Sequence, residues 1–122
     1  MAQFVKFEMP EETQNKLNEV LQKILKTGGK VKAGINEVTK MVERGTAKLV
    51  VMAEDVSPEE LLMHVPLLCD SKKIPFAYVK TRELLGEVVG LKSKASSIAV
   101  VNLGKAEKDL EVLLKSIKEL NK

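Results

Sequence analysis

Three side chains that could read the edges of nucleic-acid bases lie close together in the chain. Asn36, Glu37 and Lys40 provide an amide, a carboxylate and an ammonium group. Together they both donate and accept hydrogen bonds, which suits base recognition better than a purely electrostatic coating of the surface. An exposed helix carries charges in any soluble protein, however, so a merely solvated face is the alternative explanation.

Basic residues surround this group. Residues 26–48 hold six lysines or arginines against two glutamates, a net charge of +4 in a chain whose total charge is +3. A basic region on an otherwise nearly neutral chain indicates one surface that binds a polyanion. Lys92 and Lys94, in a later stretch of small residues, form a second and weaker basic element. The six cations of the first region are Lys26, Lys30, Lys32, Lys40, Arg44 and Lys48.

Enzymatic chemistry has fewer candidates. Glu54 and Asp55 follow an apolar run that is typical of a buried strand, where ligands gather in open α/β sheets. They are the basis of an alternative interpretation, a small receiver-like or enzymatic α/β domain. A receiver domain also needs a pair of acids after its first strand, where this chain has only Glu37. Solvated acids that precede a helix are therefore the favoured explanation.

His64 and Cys69 do not form a convincing nucleophile and base. A break or kink is predicted near His64–Val65 because Pro66 removes a backbone donor, and Cys69 lies in an apolar run where a thiol is inert. His64 is the only histidine of the chain and has no metal-ligating companions at a suitable spacing. The chain is therefore predicted to be no enzyme and to need no metal or cofactor.

Hydrophobic periodicity indicates the elements that position these residues. Ile35, Val38, Met41 and Val42 recur at helical spacing, so a helix that begins near Gly34 turns its polar residues to solvent. Further helices are predicted over 11–25, 61–68, 81–88 and from 105 onwards, and strands over 30–33, 47–53, 76–79 and 98–102. Helices that alternate with short apolar strands predict one α/β domain over 1–122, with helices on both faces of a small sheet.

Composition limits the remaining possibilities. Aromatic residues make up only 3% of the chain, which leaves little material for a platform that stacks single-stranded bases. One cysteine among 122 residues is typical of a reducing compartment. Neither a signal peptide nor the roughly 20 apolar residues of a membrane span is evident. The expected location is the cytoplasm.

Several stretches together resemble the kink-turn RNA-binding ribosomal protein superfamily, and most closely its archaeal large-subunit members of the seven-Ae type. The resemblance covers essentially the whole chain. It is carried by the runs at 34–45, 53–60, 66–69, 74–79 and 95–100, of which GINEVTKMVERG and AEDVSPEE are the longest. It implies a three-layer α/β/α sandwich with a small mixed sheet that binds a sharply bent RNA, the kink-turn.

The resemblance also implies a role for each matching residue. Asn36, Glu37 and Lys40 would contact the tandem sheared G·A pairs, and Gly34 would let the backbone approach a phosphate. Lys30, Lys32 and Arg44 would neutralise phosphates. The loop of Leu91, Lys92, Ser93, Lys94 and Ala95 would cover the extruded loop nucleotide, with Leu91 against its base.

The implied partners are RNAs and ribonucleoprotein proteins. The RNAs are ribosomal RNA and the box C/D and H/ACA guide RNAs, with ribonuclease P RNA as a further candidate. The free protein is expected to be a monomer that has no membrane partner. Its role would be to stabilise the bent RNA, with no bond made or broken.

Overall fold

A computed structural model describes residues 4–56, 60 and 62–120, in which helices and strands alternate along the chain. The helices are α1 (Glu11–Lys26), α2 (Ile35–Glu43), α3 (His64–Lys72), α4 (Arg82–Val88) and α5 (Glu107–Leu120). The strands are β1 (Lys30–Ala33), β2 (Leu49–Ala53), β3 (Phe76–Val79) and β4 (Ser97–Asn102).

The four strands form one mixed sheet in the order β1-β4-β2-β3. Strand β4 runs antiparallel to both of its neighbours, whereas β2 and β3 are parallel. Strands β1, β2 and β3 therefore all point the same way, and their carboxyl ends lie at the edge of the sheet where β4 begins. This arrangement confirms the predicted mixed sheet.

Helices cover both faces of the sheet. Every residue of β2 and β3 is buried, as expected for strands that are packed on two sides. Helix α1 packs against α5, and α2 packs against α3 and β4. The apolar stripes predicted for α1 and α2 do face this core, since Leu17, Ile24, Val38 and Val42 are all fully buried. The predicted three-layer α/β/α architecture is thereby confirmed.

The break predicted near His64–Val65 is confirmed, and it takes the form of a helix start. No kink interrupts a helix there, because α3 begins only at His64 and Pro66 lies in its first turn. The N–H that proline lacks has no partner within a helix at that position, so proline is tolerated. Residues 57–59 and Leu61, for which a loop and a helix start were predicted, lie outside the described residues.

The segment before α1 packs along β3. The hydroxyl of Tyr78 donates to the carbonyl of Phe4 (2.7 Å) and accepts from the N–H of Lys6 (3.1 Å). The rings of Phe7 and Tyr78 meet edge to face at 5.1 Å. The N–H of Tyr78 points at the sulfur of Met9, 3.4 Å away. Among the described residues, no helix is long and apolar enough to cross a membrane.

Candidate nucleic-acid interface

The start of α2 lies where β1 ends. Gly34 has φ +97° and ψ 148°, a conformation that is open essentially to glycine alone. Its N–H donates to the carbonyl of Ser97 (3.0 Å), and its carbonyl accepts from Val38 as the first bond of the helix. Gly34 has no side chain to cap the free N–H groups of the first turn, which favour an anion. Glycine here therefore satisfies the backbone and leaves the helix start open.

The three candidate base-reading residues share the solvent side of α2. Asn36 and Lys40 are exposed and Glu37 is half-buried, while Val38 and Val42 fix the opposite side in the core. Nζ of Lys40 lies 3.8 Å from Oε1 of Glu37, one turn apart on the helix. This geometry confirms the predicted division of the helix into a buried and a solvated side.

The basic residues are spread more widely than the polar group. Lys32 is exposed on β1, two residues before Gly34, and so lies near the start of α2. Lys30 is at the opposite end of the same strand, about 13 Å from Gly34 at the usual strand rise. Arg44 caps the far end of α2, about 12 Å along the axis from Asn36. Lys32 therefore lies beside the start of the polar group and Arg44 one turn beyond Lys40 at its other end, while Lys30 is the most distant of the three.

A loop between α4 and β4 presents the second group of candidates. The side chains of Lys92, Ser93 and Lys94 are exposed, and Leu91 is 39% exposed, a large fraction for a leucine. These residues line a shallow pocket together with Glu83 and Glu87 of α4 and with Gly90, which follows the helix. Nζ of Lys94 lies 3.3 Å from Oε1 of Glu83. An apolar side chain flanked by ammonium groups suits a base and its phosphate.

Ala95 is placed differently from the rest of this loop. It is only 4% exposed, and its N–H donates to the carbonyl of Arg82 (3.1 Å). Its side chain is thus buried, and its N–H anchors the end of the loop to α4.

The sheet brings the loop and α2 together. Ser96 and Ser97 follow the loop directly, and the carbonyl of Ser97 accepts the N–H of Gly34. The carbonyl of Ser96 accepts the N–H of Ala53 at 2.9 Å. Antiparallel pairing of β1 with β4 therefore joins two stretches that are distant in sequence into one surface, here called the α2–loop surface (residues 32–40 and 91–95).

The sequence alone did not identify two positions that support the loop, Gly86 and Arg82. A Cβ at Gly86, within α4, would overlap the carbonyl oxygen of Ser93, so only glycine permits this close approach. An isolated glycine inside a helical pattern is the signal that could have revealed it. Arg82 contributes through its backbone, which no sequence pattern reports.

The acidic pair shows no arrangement suited to catalysis. The carboxylate of Asp55 accepts the N–H of Arg82 at 2.9 Å and is occupied in holding α4. Desolvation by burial raises the pKa of Glu54, an effect that Lys80 partly offsets and Glu8 reinforces. Within the described part of the chain, no three acidic, histidine or cysteine side chains are placed to hold a metal ion.

His64 and Cys69 are likewise unconnected. Nε2 of His64 lies 3.1 Å from the hydroxyl of Thr39, whose own proton goes to the carbonyl of Ile35. His64 therefore ties α3 to α2. Cys69 is fully buried, and its burial, with a smaller contribution from Asp70, raises the pKa of the thiol to about 12. A thiol of this kind is inert at neutral pH, as predicted.

Comparisons with known proteins agree on one family. The model of the ribosomal protein L7Ae/L30e/S12e/Gadd45 family matches residues 15–110, which is most of the chain. Among solved structures, the chain is similar to the 15.5kD RNA binding protein of Giardia lamblia, with a TM-score of 0.78 and 26% sequence identity. That similarity covers 96% of this chain and 93% of the other.

Proposed function

The chain belongs to the ribosomal protein L7Ae/L30e/S12e/Gadd45 family, and from that premise we propose that it recognises and stabilises kink-turns in RNA. Membership supports RNA binding by a ribosomal-type protein that is not an enzyme. The name of the Giardia protein, an RNA binding protein, points the same way. The finer proposal, the kink-turn itself, rests on the chemistry of the α2–loop surface.

The observation that carries the proposal is the exposed polar group at the open start of α2. Glu37 accepts hydrogen bonds from guanine or adenine amino groups, Lys40 donates to guanine O6 or N7, and Asn36 does both. Regular A-form RNA hides these base edges in a deep, narrow groove. A kink that carries sheared G·A pairs opens the groove, so a short helix start can reach them.

The loop supplies a second contact. Leu91 offers an apolar surface to a base that is turned out of the RNA, and Lys92 and Lys94 offer charge to the adjacent phosphates. Its attachment beside Gly34 supports simultaneous contact of α2 and the loop with one RNA. An extended duplex has no unstacked base to place there, so this contact favours the bent form.

Lys32 contributes phosphate neutralisation beside the helix start, and Lys30 and Arg44 contribute it at the margins. Among the described residues, Lys30, Lys32 and Arg44 form no ion pair with a carboxylate of the protein. Their charges are therefore available to RNA, and the binding that they provide depends on salt but not on sequence.

Binding of this kind acts by shifting a population. Free RNA samples bent and extended forms, and a protein that prefers the bent form increases its share. We place this role in ribosomal RNA of the large subunit and in box C/D and H/ACA guide RNAs, with ribonuclease P RNA as a further target. In each assembly the bent RNA and the protein together present a surface to other core proteins.

The test compares two RNAs that differ only in the tandem G·A pairs. The protein is titrated against a kink-turn RNA and against the same RNA with Watson–Crick pairs in place of the G·A pairs. We expect the kink-turn to bind at least about a hundredfold more tightly, the span between specific and non-specific binding being larger still in many systems. Equal affinity for the two RNAs would show that the surface binds charge and not structure.

A further inference from the structure

We propose that Asp55 is a positioning residue for RNA binding, which holds the loop of residues 91–95 in place through Arg82. This inference rests on the proposed function, because it assigns a task to a residue outside the α2–loop surface itself. The contact between a β2–α3 loop and the start of α4 is the observation from which it begins.

Asp55 supplies an acceptor that α4 needs. Oδ1 of Asp55 accepts the backbone N–H of Arg82 at 2.9 Å and lies 3.6 Å from Nε of the same residue. Arg82 is the first residue of α4, where a helix leaves N–H groups without a partner. The side chain of Thr81 already caps the N–H of Leu84 (3.0 Å). Asp55 and Thr81 therefore divide the donors of the first turn between them.

The contact closes a ring of backbone hydrogen bonds. The carbonyl of Arg82 accepts the N–H of Ala95 (3.1 Å), and the carbonyl of Ser96 accepts the N–H of Ala53 (2.9 Å). Ala53 ends β2 and is two residues before Asp55. The path thus runs from β2 through Asp55 to α4, on to the end of the loop and back to β2. Without Asp55 the start of α4 is connected to β2 only through β3 and the end of the loop.

Packing fixes the apolar side of α4, where Leu85 is fully buried, and the contact with Asp55 fixes the polar start of the helix. The helix has only seven residues, fewer than an isolated helix needs to be stable. The loop is attached to α4 at both ends. The N–H of Leu91 donates to the carbonyl of Gly86 (2.8 Å), and the N–H of Ala95 donates to the carbonyl of Arg82 (3.1 Å). A displacement of α4 therefore displaces Leu91 and Lys94 relative to α2.

A positioning role for Asp55 and simple electrostatics predict opposite changes in RNA affinity when its carboxylate is removed. Removing a carboxylate makes the protein more positive, which by itself strengthens binding to RNA. If Asp55 positions the loop, Asp55→Ala weakens binding instead. Asp109→Ala is a matched control, since it removes one partly exposed, ion-paired carboxylate from α5. Asp55→Asn is the conservative variant, because its amide oxygen still accepts the N–H of Arg82.

The RNA experiment distinguishes the contribution of the loop to RNA affinity from the contribution of α2. Each variant is titrated with a kink-turn RNA and with the same RNA made abasic at the extruded nucleotide. We expect Asp55→Ala to bind the intact RNA about fivefold less tightly, the order of one hydrogen bond. Its loss of affinity for the abasic RNA should be smaller, about twofold, because the contact between Leu91 and the base is already missing there and only the phosphate contacts of the loop remain. Asp55→Asn should retain most of the affinity, and Asp109→Ala should lose none.

An unchanged or increased affinity of Asp55→Ala for the intact RNA would overturn the proposal. An equal loss on both RNAs would also overturn it, since that result indicates general damage to the fold. A loss in Asp55→Asn as large as in Asp55→Ala would assign the effect to charge and not to the hydrogen bond.

Amide hydrogen exchange tests the same idea without RNA. Asp55→Ala should accelerate exchange at Ala95 about tenfold and leave Val100, in the centre of the sheet, unchanged. Unchanged exchange at Ala95 would refute the positioning role even if RNA affinity fell. If the wild-type protein failed to distinguish kink-turn from duplex, the proposed function would fail, yet the exchange measurement would still decide the role of Asp55.

Discussion

At the scale of single residues, the polar group of α2 is prepared for exchange with a ligand. Glu37 and Lys40 face each other at 3.8 Å, and their side chains are 45% and 58% exposed. An exposed pair of this kind contributes little to the stability of the fold. Under the proposed function, RNA would replace the pair at small cost, and the two charges would then be available for base edges.

Glu37→Ala should reduce specificity more than overall binding. Loss of one good base-edge contact costs roughly 1–3 kcal/mol, and the loss should be confined to RNA that carries G·A pairs. The measurement is the ratio of affinities for the kink-turn and its Watson–Crick counterpart. Glu43→Ala makes the same change in charge at the exposed far end of α2 and should keep the ratio. A ratio that both variants lower alike would contradict base reading by Glu37.

Glu54 should impose a pH-dependent cost on stability. Burial raises the pKa of its carboxyl above the ordinary value of 4.5, so the folded protein binds this proton more tightly than the unfolded chain. The stabilising effect of the proton is complete below that ordinary value and is lost as pH rises through the folded pKa. Glu54→Gln should thus unfold at higher temperature than the wild-type protein at neutral pH.

The gain in melting temperature from Glu54→Gln should shrink as the pH falls toward 4, where the wild-type side chain is also neutral. Thermal unfolding at several pH values checks this directly. A difference that widens on acidification would mean that Lys80, and not burial, dominates the surroundings of Glu54.

At the scale of elements, local sequence was sufficient for the helices and strands but not for how they meet. The spacing of Val38 and Val42 predicted which side of α2 is buried, because burial acts on every turn of the helix. Family resemblance, and not spacing, brought Leu91 into the same site. The two stretches become neighbours through pairing of β1 with β4, a long-range event that leaves no local pattern in the sequence.

Other features escaped prediction for a related reason. The N–H of Arg82 donates to the carboxylate of Asp55, a residue distant in sequence. Each of the two residues alone resembles an ordinary solvated charge. Pro66 indicated a break near His64 but not the form of that break, because the same residue that interrupts a helix interior is acceptable in a first turn. Its effect depends on where the helix begins, and Leu62 and Met63 continue the apolar pattern without being part of α3.

Gly86→Ala should disturb the loop through packing. The added Cβ overlaps the Ser93 carbonyl, and relief of such overpacking costs about 1–3 kcal/mol of unfolding free energy. Kink-turn affinity should fall as well, because Ser93 lies between Leu91 and Lys94. Gly28→Ala is the control: it introduces strain at φ +87° with no atom within 4 Å, away from the loop. Denaturant unfolding and RNA titration of both variants decide between two causes of a lower RNA affinity: displacement of the loop, or reduced stability of the fold alone.

At the scale of the whole molecule, positive charge is concentrated in the region that contains the proposed RNA-binding helix α2. Residues 26–48 carry more positive charge than the net +3 of the complete chain, so the rest of the surface contributes little attraction. Membership of the L7Ae/L30e/S12e/Gadd45 family confirms the resemblance and the expectation of a protein that is not an enzyme. In the proposed function, the field of residues 26–48 would attract RNA to one side of the molecule, and the α2–loop surface would then select among RNAs.

Lys32→Ala should weaken binding to every RNA by a similar factor. The logarithm of affinity falls with the logarithm of salt concentration, and loss of one phosphate contact reduces that slope by about one. Titrations of kink-turn and duplex RNA over a range of salt concentrations test this. Lys108→Ala, on the exposed side of α5, should leave the slope unchanged. Selective loss on the kink-turn alone would indicate that Lys32 reads structure.

The contact of Tyr78 with Phe4 has a consequence for how copies of the protein coexist at high concentration. A sheet with four strands has two rims, here β1 and β3, each a possible template for a strand of another molecule. The segment that Tyr78 fastens shields the β3 rim, and Met9 occupies one of its donors. The β1 rim bears Lys30 and Lys32, whose mutual repulsion between copies discourages pairing. The same lysines that are proposed to neutralise RNA phosphates thus also discourage neighbouring molecules from pairing into a shared sheet.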